Sequence, residues 1–559
     1  MFKQQIISLL AKQTSLKKKE IESVIETPPT PELGDYSFPC FTLVNREKKD
    51  EFWENVPKDF FIKKSPVDVA LHLKQKIEKK LPKEIERVEQ KGPYLNFFIN
   101  KNLLVREILK IKENYGKQNQ KEKILLEHTS VNPNASPHVG RTRNSIIGDS
   151  IYRILTFLGN KVERHYYIND VSKQIAMLAL VFKPNDKFED LLKKYVRVNE
   201  MIGQKPELEK QVFQLLHRFE HGDKKTVALF KKIVETAVKG QKQLYSKIGI
   251  EFDYFDYESK YIDESKHILE ELEATGKTSK DEHDRLVLDL KNTPLVNKMK
   301  SPVLVLTRND GTGLYVTRDL AYTIDKSKKG RNIIILGEDQ KLYFEQLKET
   351  LKLLKKPCPE VVHYSFVLLK GIGKMATRKG EVVLLSEFLD AAKQKAETEI
   401  KKRKTKGDSL KVAIAAVKYS MLRNENNKNI VFDLGESLNF EGNTGPYLQY
   451  SYARASSILR KAKNKSPREI PKEINESEFA LIKQIEKFPE IVQRAGEQLN
   501  PPLVANYSYE LAKTFNEFYH SCKVIGDSNE RFRLKLVDAF RITLKNSLYL
   551  LGIEVMGEM

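Results

Sequence analysis

The run KILLEHTSVNPNASPHVGRTRNSIIGDSIYRILTFLG, residues 123–159, decides the fold. Its opening, Ile124 to Glu127, is a short apolar stretch that predicts a strand. Farther on, Ile146, Ile147, Ile151, Ile154, Leu155 and Leu158 fall at helical spacing, and Gly159 is placed to stop that helix. A polar loop with Asn and Pro separates the two. The helix opens on His138-Val139-Gly140-Arg141. Such a strand, loop and helix start make a seat for a nucleotide, because free N–H groups and the helix dipole favour phosphate. His138 can donate to phosphate oxygens as charge builds on them. Gly140 leaves room for a ligand against the backbone. Alone, His-x-Gly is more often an ordinary turn.

Working outward, a second run far downstream completes the pattern. In KGIGKMATRKGEVVLLSEFLD, Lys374, Arg378 and Lys379 lie on a Gly-containing stretch after a predicted strand, HYSFVLL. Flexible backbone with several cations suits a clamp on polyphosphate. The bland reading is a solvated basic loop. Further strands are predicted at RLVLDL, PVLVLTRNDG, GLYVTRD, NIIILGEDQ and VVHYSFVLL, between helices. That alternation implies a mostly parallel sheet, which binds ligands at the carboxyl ends of its strands. HVGR, Asp319, Gln340 and KMATR all follow predicted strands.

These residues resemble those of class I aminoacyl-tRNA synthetases. HVGR is similar to their HIGH signature, and KMATR to their KMSKS loop in the KMSTR form common among arginyl-tRNA synthetases. SVNPN, GLYVTRDLAY (313–322) and NFEGNTGPYLQYSYAR (439–454) resemble further runs of that family. The resemblance covers most of the chain, and is weakest from about 175 to 300 and from 460 to 500. It implies an α/β fold: a Rossmann-like parallel-sheet catalytic domain with a helical insertion, an N-terminal α+β domain and a C-terminal all-α bundle. The expected boundaries are 1–118 for a tRNA-contacting domain and 119–395 for the catalytic domain, with its insertion at about 171–300. A helical connector at 396–438 and an anticodon-binding bundle at 439–559 follow.

The resemblance implies an arginine–tRNA ligase. It would activate arginine with ATP, release pyrophosphate and pass arginine to its tRNA, with activation needing bound tRNA. The expected ATP site is His138, Val139, Gly140 and Arg141 with Lys374, Met375, Ala376, Thr377 and Arg378. His138, Arg141, Lys374 and Arg378 would do the chemistry. Mg²⁺ is expected with ATP, held mainly by phosphates and water, and no protein-bound metal is expected. Two departures matter: Arg141 stands for the second histidine of HIGH, and Thr377 for the second lysine of KMSKS. Arg378, Lys379 and Arg141 are the candidate compensating cations.

A guanidinium needs a planar fork of acceptors. Glu127 and Asp319 are the carboxylates at hand, and Ser130, Val131, Asn132, Tyr315 and Gln340 match other positions of the family's arginine pocket. The bland alternatives are an N-cap for Asp319 on DLAYTIDK and a solvent-facing strand end for Glu127. Asn96, Phe98, Tyr447, Tyr450 and Arg454 are further candidate tRNA contacts, through stacking and base edges. Helix aromatics are more often core. Rival readings are a class I synthetase for another amino acid and a tRNA-binding relative without activity.

Composition agrees. The 559 residues suffice for three or four domains, and 40% hydrophobic with 31% charged residues fits a soluble globular protein. The net charge of +21 suits a polyanionic partner, although a lysine-rich proteome would give the same bias. Cys40, Cys358 and Cys522 are too scattered for a zinc site or a disulfide framework. The start of the chain reads as an amphipathic helix, not a signal peptide, and no run is long enough for a membrane span. A cytoplasmic monomer is the expected state.

Overall fold

The computed structural model describes residues 2–14, 16–44, 65–134, 136–370, 383–403, 406–462, 470–471 and 473–559. The chain forms two compact units. The larger comprises residues 113–461, 487–520 and 540–559, and the smaller 1–112, 462–486 and 521–539.

The larger unit is built on a five-stranded sheet: β1 (Lys123–Glu127), β2 (Lys161–Ile168), β3 (Tyr254–Tyr257), β4 (Arg331–Gly337) and β5 (Glu360–Tyr364). The order is β5-β4-β1-β2-β3 and every pairing is parallel. Ile124, Leu125 and Leu126 are all fully buried, as expected where helices cover both faces of a parallel sheet. From β1 the chain winds one way to β2 and β3. From β4 it winds the other way to β5. The reversal opens a crevice at the carboxyl ends of β1 and β4.

Helix α1 (Val139–Phe157) follows β1, and Gly159 turns the chain away with φ +93°. Gly148 lets α1 lie against His128, because a Cβ there would come within 2.3 Å of the imidazole. Helix α1 is fastened along its length. Arg143 is fully buried and donates to the carbonyls of Ser365 and Lys428 at 2.8 Å and of Glu425 at 3.0 Å. About two turns later, Ser150 donates to the Leu550 carbonyl at 2.8 Å. Asp149 pairs with Arg153 at 2.9 Å and Lys418 at 3.3 Å, and Lys418 also donates to the Gly552 carbonyl.

Between β2 and β3 come helices Lys173–Ala179, Phe188–Gln204, Glu207–Glu220 and Lys224–Lys247. The next stretch corrects the sequence reading. RLVLDL and PVLVLTRNDG do contribute strands, Leu286–Asp289 and Val303–Val305, but to a separate antiparallel sheet with Thr278–Lys280. GLYVTRD is not a strand: helix α2 (Tyr315–Ser327) begins inside it. Its β-branched residues suggest a strand, yet Val316, Leu320, Ala321 and Ile324 recur at helical spacing and bury one face. Helix α3 (Lys341–Leu353) joins β4 to β5. Beyond β5, Val367–Leu369 pairs in parallel with Ile430–Phe432, and the chain becomes mainly helical.

The smaller unit contains a three-stranded antiparallel sheet with Tyr94–Ile99 between Tyr36–Pro39 and Ile85–Lys91. Helices Phe2–Gln13 and Pro66–Glu78 bury Ile6, Leu10, Val69 and Leu73 with Phe38 and Phe97 in its core. Residues 476–486 and 530–539 belong to it, with Arg533 on Glu478 at 2.7 Å and Lys483 on Asp35 at 2.6 Å. Asn96 does not offer a base edge here. It is buried, and its side-chain oxygen accepts from Ser37 Oγ at 2.7 Å on the neighbouring strand. Phe98 is half-buried with the Arg87 guanidinium 3.6 Å over its ring.

Candidate active site

The loop after β1 is bent against its own preference. Thr129 and Ser130 have φ of +75° and +41°, conformations that cost a non-glycine residue about 1–3 kcal/mol each. Helix α1 holds them there. Asn144 accepts from the Thr129 N–H at 2.6 Å and donates to the Ile335 carbonyl of β4 at 2.8 Å, while Thr129 Oγ1 donates to Ser145 Oγ. Farther along, the Val131 carbonyl accepts from Tyr166 Oη at 3.0 Å and the Asn132 carbonyl from Gln241 Nε2 at 3.1 Å. The Asn132 side chain faces solvent, and the buried Ser130 hydroxyl has no hydrogen-bond partner among the described residues.

His138 is the N-cap residue of α1, but its side chain makes no cap bond. Burial, and then the charge of Arg141, pull its imidazole down to about 4, so the ring is neutral at pH 7. Its buried Nδ1 is unpartnered among the described residues. Arg141 reaches Asp339 at 3.6 Å, with Tyr364 beside it. Lys374, Met375, Ala376, Thr377, Arg378 and Lys379 lie outside the described residues. Their flanks are described. Lys370 pairs with Asp433 at 2.9 Å, and Val383 accepts from the Val139 N–H at 3.1 Å. Leu385 N–H donates to the Pro137 carbonyl, so the stretch that follows KMATR is tied to the start of α1.

The carboxylates lie across the crevice, where α2 and α3 face β1 and β2. Neither bland alternative survives. Glu127 is 5% exposed and ion-paired with Lys326, which is 2% exposed. Asp319 is the fifth residue of α2, past any cap position, and its carboxylate accepts from Tyr343 Oη at 2.5 Å. Tyr315, one turn earlier, is half-exposed and its ring lies 5.3 Å from that of Tyr343. Gln340 is the N-cap residue of α3 and makes no side-chain cap bond.

Sequence reasoning missed Glu258. It is fully buried and bonds Arg318 Nε at 2.6 Å, with its second oxygen unpartnered among the described residues. Burial pushes its carboxyl up to about 8, against the pull of Arg318. No motif marks it, and its partner lies 60 residues away. Glu127 thus has Lys326 and Glu258 has Arg318. Asp319 has no ion pair among the described residues. Burial raises it to about 6, eased by Tyr343, by Tyr167 and by the charge of nearby Arg318, and worsened by the charge of Glu127. A buried carboxylate without an ion pair of its own is a place for a cationic ligand group.

On one side Glu127 is thus linked to α2 through Lys326, and Asp319 and Tyr315 through Tyr343; on the other, Arg141 is linked to Asp339, next to Gln340. Tyr447, Tyr450 and Arg454 lie elsewhere, on helix Gly445–Lys461. They are half-buried and engaged with each other and with Asn516: Tyr447 Oη accepts from Asn516 at 2.8 Å, and Arg454 donates to Asn516 at 2.5 Å and stacks between Tyr450 and Tyr519.

Residues 104–434 match the catalytic domain of class I tRNA synthetases (R), residues 1–99 the arginyl-tRNA synthetase N-terminal domain, and residues 448–559 the DALR anticodon-binding domain. The chain is 35% identical to the arginine–tRNA ligase of Methanocaldococcus jannaschii, over 97% of this chain and 96% of that one. It is 38% identical to that of Methanococcoides burtonii, over 88% and 90%. The solved arginyl-tRNA synthetase of Thermus thermophilus superposes with a TM-score of 0.82 at 26% identity, covering all of both chains. This parallel-sheet chain, with its carboxylate crevice and His-x-Gly helix start, belongs to the arginyl-tRNA synthetases of class I.

Proposed function

We propose that the chain joins L-arginine to its tRNA in two steps. The arginine carboxylate attacks the α-phosphorus of ATP, giving arginyl-adenylate and pyrophosphate. A ribose hydroxyl at the 3′ end of the tRNA then attacks the carbonyl carbon and AMP leaves. The observation that carries the amino-acid assignment is Asp319, a buried carboxylate without an ion pair among the described residues, between two that have theirs. A guanidinium is planar, keeps its charge and can share two acceptors at once. A lysine would leave part of that fork unmatched. Glu127, Ser130, Val131, Asn132, Tyr315 and Gln340 surround the rest of the arginine.

On the phosphate side the work is positioning and charge stabilisation. Neutral His138 donates to phosphate oxygens, Arg141 reaches the same end, and Lys374 and Arg378 meet the leaving pyrophosphate. Mg²⁺ comes with ATP, held mainly by its phosphates and water. Residues 439–559 read the anticodon, 119–395 carry the chemistry, 396–438 connect them and 1–118 contact the tRNA. Tyr447, Tyr450, Arg454 and Phe98 are the proposed aromatic and cationic contacts. The enzyme works as a cytoplasmic monomer. The test is arginine-dependent exchange of pyrophosphate into ATP, with and without tRNA. Exchange that needs both arginine and tRNA supports the reading; robust exchange with lysine or glutamate overturns it.

A further inference from the structure

Helix Lys224–Lys247 has two faces of different character. Outward it carries Lys224, Lys225, Lys231, Lys232, Lys239, Lys242 and Lys247, all exposed, with Glu235 as its one acidic side chain. None of the seven lysines has an ion pair among the described residues; Lys242 lies 5.6 Å over the Phe255 ring. The two preceding helices differ. Phe188–Gln204 and Glu207–Glu220 mix acids and bases on their surfaces, as a lysine-rich solvated surface ordinarily does. Uncompensated charge on one helix is therefore local, not a reflection of the chain's overall excess.

The spacing is also ordered. Lys225, Lys232 and Lys239 are seven residues apart and stay nearly in line, drifting about 20° per step. At about 1.5 Å per residue they stand roughly 10 Å from one another. Such a line suits a repeating polyanion rather than one small anion. On the inner face, buried Gln241 donates to the Asn132 carbonyl and accepts from Tyr166 Oη at 2.7 Å. The charged line is thus the outside of a helix whose inside holds the arginine loop.

We propose that the line of Lys225, Lys232 and Lys239 is a docking track for the sugar–phosphate backbone of the tRNA, resting on the function proposed above. Backbone contacts of this kind position the nucleic acid without reading its bases. The test is the affinity of wild type and of the triple variant Lys225→Gln, Lys232→Gln, Lys239→Gln for a tRNA(Arg) transcript across a salt series. Three lost phosphate contacts should lower affinity at least tenfold and flatten the slope of log K against log salt by about three. The KM for tRNA rises, while those for arginine and ATP at saturating tRNA hold. A control variant, Lys291→Gln, Lys300→Gln, Lys348→Gln, removes the same net charge elsewhere. An unchanged slope in the triple variant overturns the track, and so does an equal loss in the control. Wild type that charges tRNA with arginine while the triple variant behaves normally refutes the track alone; wild type that cannot charge arginine refutes the underlying function.

Discussion

The two sides of the crevice solve different problems. On the carboxylate side, Glu127 with Lys326 and Glu258 with Arg318 are buried and paired, and Asp319 has no ion pair among the described residues. On the phosphate side, Arg141 and Asp339 are each about two-fifths exposed, and His138 is uncharged. Selectivity needs a dry, fixed set of acceptors, since an unmatched buried group is what rejects the wrong amino acid. ATP must enter and pyrophosphate leave, so the phosphate side keeps its charges near water. On the function proposed above, discrimination and turnover are carried by separate walls.

The strongest way to break this contrast is Lys326→Met. It leaves Glu127 buried without its cation, a loss of about 3–5 kcal/mol. Thermal or urea unfolding should show it; an unchanged transition would mean that the pair is not part of a rigid wall. His138→Ala comes next. If the imidazole acts as a preorganised donor, turnover should fall by roughly 3 kcal/mol with arginine binding little changed. Steady-state kinetics decide, and unchanged turnover removes His138 from the chemistry.

Asp319→Asn sharpens the comparison from the other wall. The KM for arginine should rise at least about tenfold more than that for ATP, about 1.4 kcal/mol. Stability should not drop at pH 7.5. With its carboxyl at about 6 against the usual 3.8, the native state holds the proton more tightly than the unfolded chain, so this group's contribution declines as pH rises through that window. Normal arginine kinetics with a lower Tm would shift the pocket's centre to Glu127. The smallest effect is the pH profile. If arginine needs Asp319 ionised, as proposed, kcat/KM for arginine should decline below about pH 6 with a one-proton slope. Asp319→Asn should flatten that limb and His138→Ala should keep it, since His138 titrates near 4. The opposite pattern would exchange their roles.

What the sequence reveals follows from how local the signal is. β1, the loop and α1 were legible because strand, cap position and 3.6-residue period sit within one short run. Asp319 was legible as a carboxylate after a strand or at the cap of DLAYTIDK, but not as the fifth residue of a helix, since Val316 and Thr317 imitate a strand until the burial of Leu320 and Ile324 is known. Glu258 was hidden because its meaning comes from Arg318, distant in the chain. Asn96 misled for the same reason: a polar residue between aromatics looks outward until Ser37 on the next strand takes its oxygen.

The bolts along α1 have a consequence for biosynthesis. Ser150 is translated early, but its partner, the Leu550 carbonyl, emerges 400 residues later; Lys418, which pairs with Asp149, in turn donates to the Gly552 carbonyl. A growing chain can lay down β1 and α1 and still lack the carbonyls that Ser150 and Lys418 hold. Domains otherwise fold as units in order of synthesis. Here the fastening of α1 is complete only when residues 550–552 have left the ribosome.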